Sequence, residues 1–208
     1  MCKKFRFILL LIIGITMLAA CGADENDEEA ESIPVPEELV EREDPLRIKD
    51  QLGLSIGETG WVIDWANRNI LEITLNSVEI TPEIGDQRPL GHNSEDNVFV
   101  IGNFTMKNHG EVGIPGQGFA YPDIVAGEDR DKIENDGFAN AGELLGRGDT
   151  SIVIDEAMNK QPPTEPGEER TGNVVLNADY EVDTYIIYFG FEDYESKLTW
   201  EFDATEAN

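Results

Sequence analysis

Most of the side chains that can do chemistry in this 208-residue chain are carboxylates, 43 of them against 15 lysines and arginines. The densest group is Asp129-Arg130-Asp131-Lys132-Ile133-Glu134-Asn135-Asp136-Gly137, which crowds oxygen ligands around one turn. Calcium takes about six to eight such oxygens. An EF-hand loop, however, needs acids at alternate positions, a central glycine and a closing glutamate, and this stretch lacks that pattern. The expectation is a solvated loop, with Asp129, Asp131, Glu134 and Asp136 as the calcium candidates and no other cofactor. Arg147-Gly148-Asp149 spells the adhesion tripeptide read by integrins. Gly-Asp is also ordinary turn chemistry, so a turn is the expectation and adhesion the alternative.

Two further side-chain types can bind or react. His92 and His109 are the only imidazoles, and each stands beside glycine and asparagine. No cysteine is at hand to complete a ligand set with them, so both read as turn residues. Trp61, Trp65 and Trp200 can form a binding platform or pack in a core, and their place in β-type segments favours packing. No catalytic constellation stands out. An acid pair for glycoside hydrolysis is neither supported nor removed, because 43 acids guarantee that some pair lies close.

The remaining reactive residue is a cysteine with a clear context. Lys3, Lys4 and Arg6 form a basic start, and Phe7 to Ala20 follows without a charge. A bilayer span needs about 20 apolar residues, so this run suits the apolar region of a signal peptide. It ends in Leu18-Ala19-Ala20-Cys21, which resembles the lipobox of bacterial lipoproteins. That resemblance implies cleavage between Ala20 and Cys21, acylation of Cys21 and an anchor in the outer leaflet of the cell membrane, with the protein on the extracytoplasmic face. Each buried CH₂ contributes about 0.8 kcal/mol, and two acyl chains suffice for stable anchoring. Cys2 falls in the removed segment, so the exported chain keeps one cysteine and has no internal disulfide.

Between Asp24 and Asp44 there are 11 acids and one base, Arg42, with no aromatic residue, and Pro34, Pro36 and Pro45 interrupt the run. Such a stretch buries too little apolar surface to offset its ordering entropy, and its like charges extend it. It reads as a disordered acidic tether. From about Leu52 the texture changes to short β-type runs broken by turn residues. Asn69 to Ile80 alternates through Leu71, Ile73 and Leu75, then resumes at Val78 and Ile80 one residue out of phase. A bulge near Asn76-Ser77 reconciles the two halves. Asn97 to Asn108 places Val98, Val100, Gly102, Phe104 and Met106 on one face. Further strands are expected at Phe119–Ala126, Ser151–Asp155, Thr171–Leu176, Thr184–Gly190 and Leu198–Phe202. No segment after the signal carries a sustained helical stripe.

These elements predict an all-β chain: an immunoglobulin-like antiparallel β-sandwich, preceded by a signal helix and a disordered acidic tether. The expected boundaries are 1–20 for the signal peptide, 21–50 for the lipidated cysteine and tether, 51–204 for the sandwich and 205–208 for a tail. The order of Ser55-Ile56-Gly57-Glu58-Thr59, Asn76-Ser77-Val78-Glu79, Val98-Phe99-Val100-Ile101, Met106-Lys107-Asn108-His109-Gly110 and Glu165-Pro166-Gly167-Glu168 resembles a known family. It is similar to the telokin-like, immunoglobulin-related domain of unknown function in lipoproteins of Gram-positive bacteria. The resemblance covers roughly Leu52 to Phe202. It implies an antiparallel sandwich and transfers no catalytic residue.

The resulting functional expectation is a membrane-anchored, non-enzymatic interaction module whose partner is an envelope component or another exported protein. A carbohydrate hydrolase using an acid pair, or a calcium-binding surface module, is the alternative. Nucleic acid is excluded as a partner, because the net charge of −28 repels phosphates. Loss of Lys3, Lys4 and Arg6 with the signal takes that charge to about −31. Self-repulsion of this size opposes the compact state at low ionic strength. The melting temperature is therefore expected to rise between 0.01 and 1 M sodium chloride, as the Debye length falls from about 30 to 3 Å. Thermal melts also test the calcium candidates. A midpoint raised by millimolar calcium at constant ionic strength, and not by sodium, would overturn the solvated-loop expectation.

Overall fold

The computed structural model describes residues 34–64, 68–89, 97–116, 122–129, 146–147, 154–179, 182–189 and 196–207. Among the described residues the strands are β1 (Val40–Glu43), β2 (Leu46–Ile48), β3 (Gln51–Leu54), β4 (Thr59–Ile63), β5 (Ile70–Thr81) and β6 (Asn97–Asn108). They continue as β7 (Asp123–Ala126), β8 (Gly146–Arg147), β9 (Glu169–Asp179), β10 (Thr184–Phe189) and β11 (Leu198–Asp203). Two sheets make a β-sandwich: a four-stranded one ordered β4-β5-β6-β9 and a five-stranded one ordered β3-β11-β10-β7-β8. The hairpin β1-β2 forms a separate small sheet.

Alternation sets what each strand buries, because successive side chains point to opposite faces. Leu71, Ile73 and Leu75 of β5, Val100, Phe104 and Met106 of β6, and Val174, Leu176 and Ala178 of β9 line the inner face of the four-stranded sheet. Opposite them lie Ile124, Tyr185, Ile187, Phe189, Leu198, Trp200 and Phe202. The expected phase change in β5 is present. The register against β6 slips between Leu75 and Ser77, which returns Val78 to the inner face. The outward-pointing Val125, Ile186, Tyr188 and Thr199 of the five-stranded sheet are also buried.

Three features differ from the sequence expectation. First, β3 runs parallel to β11, with Gln51 opposite Leu198 and Leu54 opposite Trp200. The sandwich is therefore antiparallel except at this edge. Parallel pairing needs a long connection, and nearly the whole domain separates these two strands. Second, the expected tether through residue 50 is folded from Pro34 onward. Val35 and Ile48 pack with Trp61 and Ile63 on the outer face of the four-stranded sheet, with Leu39, Val40, Leu46 and Ile70 around them. Lys49 N–H donates to the Leu39 carbonyl at 2.9 Å, and the Arg68 guanidinium donates to the Leu46 carbonyl at 3.1 Å. Glu37, Glu38, Glu41 and Glu43 stay exposed. The stretch is acidic on average, yet its few aliphatic residues converge on one patch, each buried one contributing about 1.5–3 kcal/mol. Third, the expected tail is partly ordered. A short 3-10 helix, Ala204–Glu206, carries a capping box between Asp203 and Glu206, and Ala204 and Ala207 pack against the main core.

Other expected elements shift or fall elsewhere. Of the strand expected at Phe119–Ala126, residues 119–121 lie outside the described residues and Asp123–Ala126 is β7, while Thr171–Leu176 extends to Glu169–Asp179. Of Ser151–Asp155, residues 151–153 lie outside the described residues, while Ile154 packs on Phe99 and Val175 without forming a strand. The docked hairpin makes a direct prediction. Ile48→Ala is expected to lower stability by about 2–4 kcal/mol and to speed cleavage at Glu41 and Glu43 by a glutamate-specific protease. An unchanged urea midpoint and cleavage rate would show that the hairpin contributes nothing to the fold.

Candidate functional site

Two side-chain rows cross the outward face of the four-stranded sheet. Register places Thr59 of β4 opposite Thr74 of β5, Thr74 opposite Thr105 of β6, and Thr105 opposite Thr171 of β9. The Thr59 and Thr74 hydroxyls are 2.7 Å apart, and those of Thr105 and Thr171 are 2.8 Å apart. The bulge turns Asn76 outward, where its amide donates to Asn103 Oδ1 at 3.0 Å and Thr105 Oγ1 at 2.9 Å. Asn103 Nδ2 donates to Asn173 Oδ1 at 2.6 Å, and Asn173 Nδ2 to the Asp155 carbonyl at 3.1 Å. At about 4.8 Å per strand the band runs about 14 Å from Thr59 to Thr171. Mutual hydrogen bonds and the stiff χ1 of threonine hold its hydroxyls and amides in place.

The band lies between two covered ends. On one side, Trp61 and Ile63 sit beneath the β1-β2 hairpin. On the other, Phe99 and Val175 are buried with Ile84, Ile101 and Ile154 around them. Both sheet edges beside the band are occupied as well. The Gln51 side chain stands in for a strand along β4, accepting from Trp61 N–H at 2.9 Å and donating to the Trp61 carbonyl at 2.7 Å. Along β9, Asn173 N–H donates to the Glu156 carbonyl at 2.9 Å, and Gln161 Nε2 to the Thr171 carbonyl at 2.7 Å. Strand addition at these edges is blocked, so the face is the surface this sheet offers.

The rim nearest the hairpin holds the described histidine. His109 Nε2 is 2.8 Å from Glu72 Oε2, and its ring lies 5.3 Å from Trp61 at a tilt of 33°. The turn that carries it is clamped by the fully buried Asn108. Its amide donates to the carbonyls of Val112 at 2.8 Å and Thr164 at 3.1 Å, and its Oδ1 accepts from Gly110 N–H at 2.9 Å. Asn108 also exchanges backbone bonds with the Glu165-Pro166-Gly167-Glu168 turn, from Gly167 N–H at 2.7 Å and to the Glu168 carbonyl at 3.0 Å. Gly167 has φ +79° there, which only glycine adopts without strain. The Lys107-Asn108-His109-Gly110 and Pro166-Gly167-Glu168 motifs are thus two halves of one structural clamp.

The letters Gly53-Leu54-Ser55-Ile56-Gly57 fit the G-x-S-x-G spacing. A nucleophile elbow needs a strand, the serine on a sharp turn, and a helix. Here β3 leads through a turn into β4, with Glu58 N–H donating to the Ser55 carbonyl at 3.0 Å and Ser55 N–H to Glu58 Oε2 at 2.7 Å. Ser55 is a turn residue, and the Glu58 carbonyl accepts from Trp200 Nε1 at 3.0 Å.

Most of the sequence-derived candidates lie outside the described residues. Ala20 and Cys21 lie outside the described residues, as do Asp131, Glu134, Asp136, Gly148, Asp149, His92 and Trp65. The backbone of Asp129 ends a short 3-10 helix, Gly127–Asp129, and that of Arg147 pairs with Asp123 in β7. Among the described residues no group of three or more His, Cys, Asp or Glu is placed to hold a metal. No described helix is long and apolar enough to cross a membrane. Trp200 is wholly buried and Trp61 is 9% exposed, so both pack as expected. The threonine and asparagine rows were missed, because those residues stand far apart in sequence and only strand register aligns them.

No protein-family model matches the chain, and no curated protein matches it. Solved structures align with part of the chain. One is an uncharacterised β-sandwich protein of Clostridium difficile 630, at 16% identity and TM-score 0.44, covering 76% of this chain and 97% of that one. A candidate lipoprotein of Bacillus subtilis aligns at 12% identity and TM-score 0.44 over 71% of this chain and 38% of its own. A candidate lipoprotein of Staphylococcus aureus aligns at 8% identity and TM-score 0.45 over 72% and 96%. At these identities no residue or activity is transferred.

The clamp is testable apart from any ligand. Asn108→Ala leaves the Val112 and Thr164 carbonyls without their side-chain donor and is expected to cost about 2–3 kcal/mol in urea unfolding. A loss below about 0.5 kcal/mol would show that the two turns hold without it.

Proposed function

We propose that this protein is a lipid-anchored module on the extracytoplasmic face of the cell membrane, whose immunoglobulin-like, telokin-like sandwich makes non-enzymatic contact with an envelope component. The observation that carries the contact surface is the open band of Thr59, Thr74, Thr105, Thr171, Asn76, Asn103 and Asn173 between two covered ends. Its hydroxyls and amides are held by one another and by the backbone, so little side-chain freedom is lost on binding. Anchoring is supported by the basic start, the uncharged run and Leu18-Ala19-Ala20-Cys21.

Replacing Cys21 tests the anchor. The Cys21→Ser protein is expected to leave the acylated membrane fraction, as an unlipidated precursor or a released form. A protein that stays in the membrane with wild-type mass and processing would refute it. For the module itself, the unlipidated Cys21→Ser protein, which has no acyl anchor, is expected to sediment with isolated cell-envelope fragments, and a protein that stays in the supernatant would refute the contact.

A further inference from the structure

Resting on the anchored reading, we infer that the β1-β2 hairpin is a releasable strap that sets how far the sandwich stands from its membrane anchor. With the hairpin docked, the folded domain starts at Pro34, thirteen residue steps after Cys21. With the hairpin released, it starts at Gln51, thirty steps after Cys21. At about 3.5 Å per residue, release raises the greatest possible reach from about 45 Å to about 105 Å. Three features suit the hairpin to this role. It is a sheet of its own, in which β1 and β2 pair with each other and not with the strands of the sandwich. Its hold is an apolar patch, Val35 and Ile48 on Trp61 and Ile63, with the Arg68 guanidinium donating to the Leu46 carbonyl at 3.1 Å. A two-stranded hairpin is marginal by itself, so off the patch it opens into extended chain. The latching residue is strained. Arg68 has φ +58°, in the left-handed region, where its N–H donates to the Asp64 carbonyl at 2.7 Å. Charge opposes docking too, since residues 34–49 carry five acids and three bases in a chain with a net charge of −28. The apolar patch must outweigh that repulsion. Trp61, 9% exposed beneath the docked strap, is uncovered on release, which makes its emission a reporter of the strap.

Hydrogen exchange on the full-length protein in detergent reads release directly. The β1 and β2 amides are expected to exchange at least about tenfold faster than those of β5 and β6, through a local opening that leaves the sandwich intact. Arg68→Ala removes the latch and is expected to speed β1 and β2 several-fold further while β5 and β6 stay unchanged. Reach is measured on the lipidated protein in phosphatidylcholine vesicles that carry an acceptor dye on the lipid. Single cysteines replacing the exposed Leu52, Asp86 and Val112 take the donor dye in turn. Ile48→Asp puts a carboxylate into the patch unless the strap leaves it. Its mean label height is expected to rise about 1.5-fold or more over wild type, as the tether lengthens, with a red shift in tryptophan emission. Should Ile48→Asp lose its cooperative melt, Arg68→Ala decides, with a smaller rise in height expected. The strap is overturned if β1 and β2 exchange only together with β5 and β6. It is overturned equally if folded variants stand at the wild-type height on the vesicles. Wild-type protein that fails to stay on the vesicles overturns the anchored reading, and the reach with it, whereas equal heights on bound vesicles overturn the reach alone.

Discussion

The contact among Phe104, Phe189 and Trp200 holds the two sheets together, and the rest of the domain depends on it. Phe104 belongs to the four-stranded sheet and the other two to the five-stranded one. Their rings meet edge to face, with centroids 5.7 to 6.1 Å apart and interplanar angles of 74–85°. No cysteine follows Cys21, so no disulfide ties the layers. The sandwich must be secured by burial and ring geometry alone. Trp200 also reaches the Glu58 carbonyl with its indole N–H, linking the core to the turn that launches β4.

That core leaves the four-stranded sheet with one face to be managed. Its two ends are covered by apolar patches, one around Trp61 and Ile63 and one around Phe99 and Val175. Its edges are closed by Gln51 and by the carbonyl of Glu156. Closing edges in this way suppresses unwanted strand pairing and leaves the middle of the face as ordered polar surface. The same arrangement explains why the acidic segment before the domain folds in part. An uncovered Trp61–Ile63 patch would expose apolar area beside the band, and the hairpin removes it from water.

Much of the architecture was legible in the sequence. Alternation in Asn97–Asn108 marked β6 at both ends, and the broken alternation after Leu75 marked the bulge, because a period of two leaves little freedom about which face is buried. The absence of a helical stripe set the all-β class. The hairpin at Val40–Ile48 was not legible, since local composition is acidic and its aliphatic residues gain burial only against Trp61 and Ile63. Nor was the parallel β3-β11 edge, which joins strands from opposite ends of the domain.

The candidate site divides the same way. Sequence by itself determined the Leu18-Ala19-Ala20-Cys21 string, because such a motif is local and read before folding, and it determined the net charge of −28. It also displayed the Asn108 and Pro166-Gly167 motifs without disclosing that they are one clamp. The band was decided by tertiary structure alone. Thr59, Thr74, Thr105 and Thr171 align only after β4, β5, β6 and β9 have paired in their registers, and each is an unremarkable strand threonine until then. Long-range pairing is what turns four separate β-branched residues into one surface, and no local window of the chain contains that information.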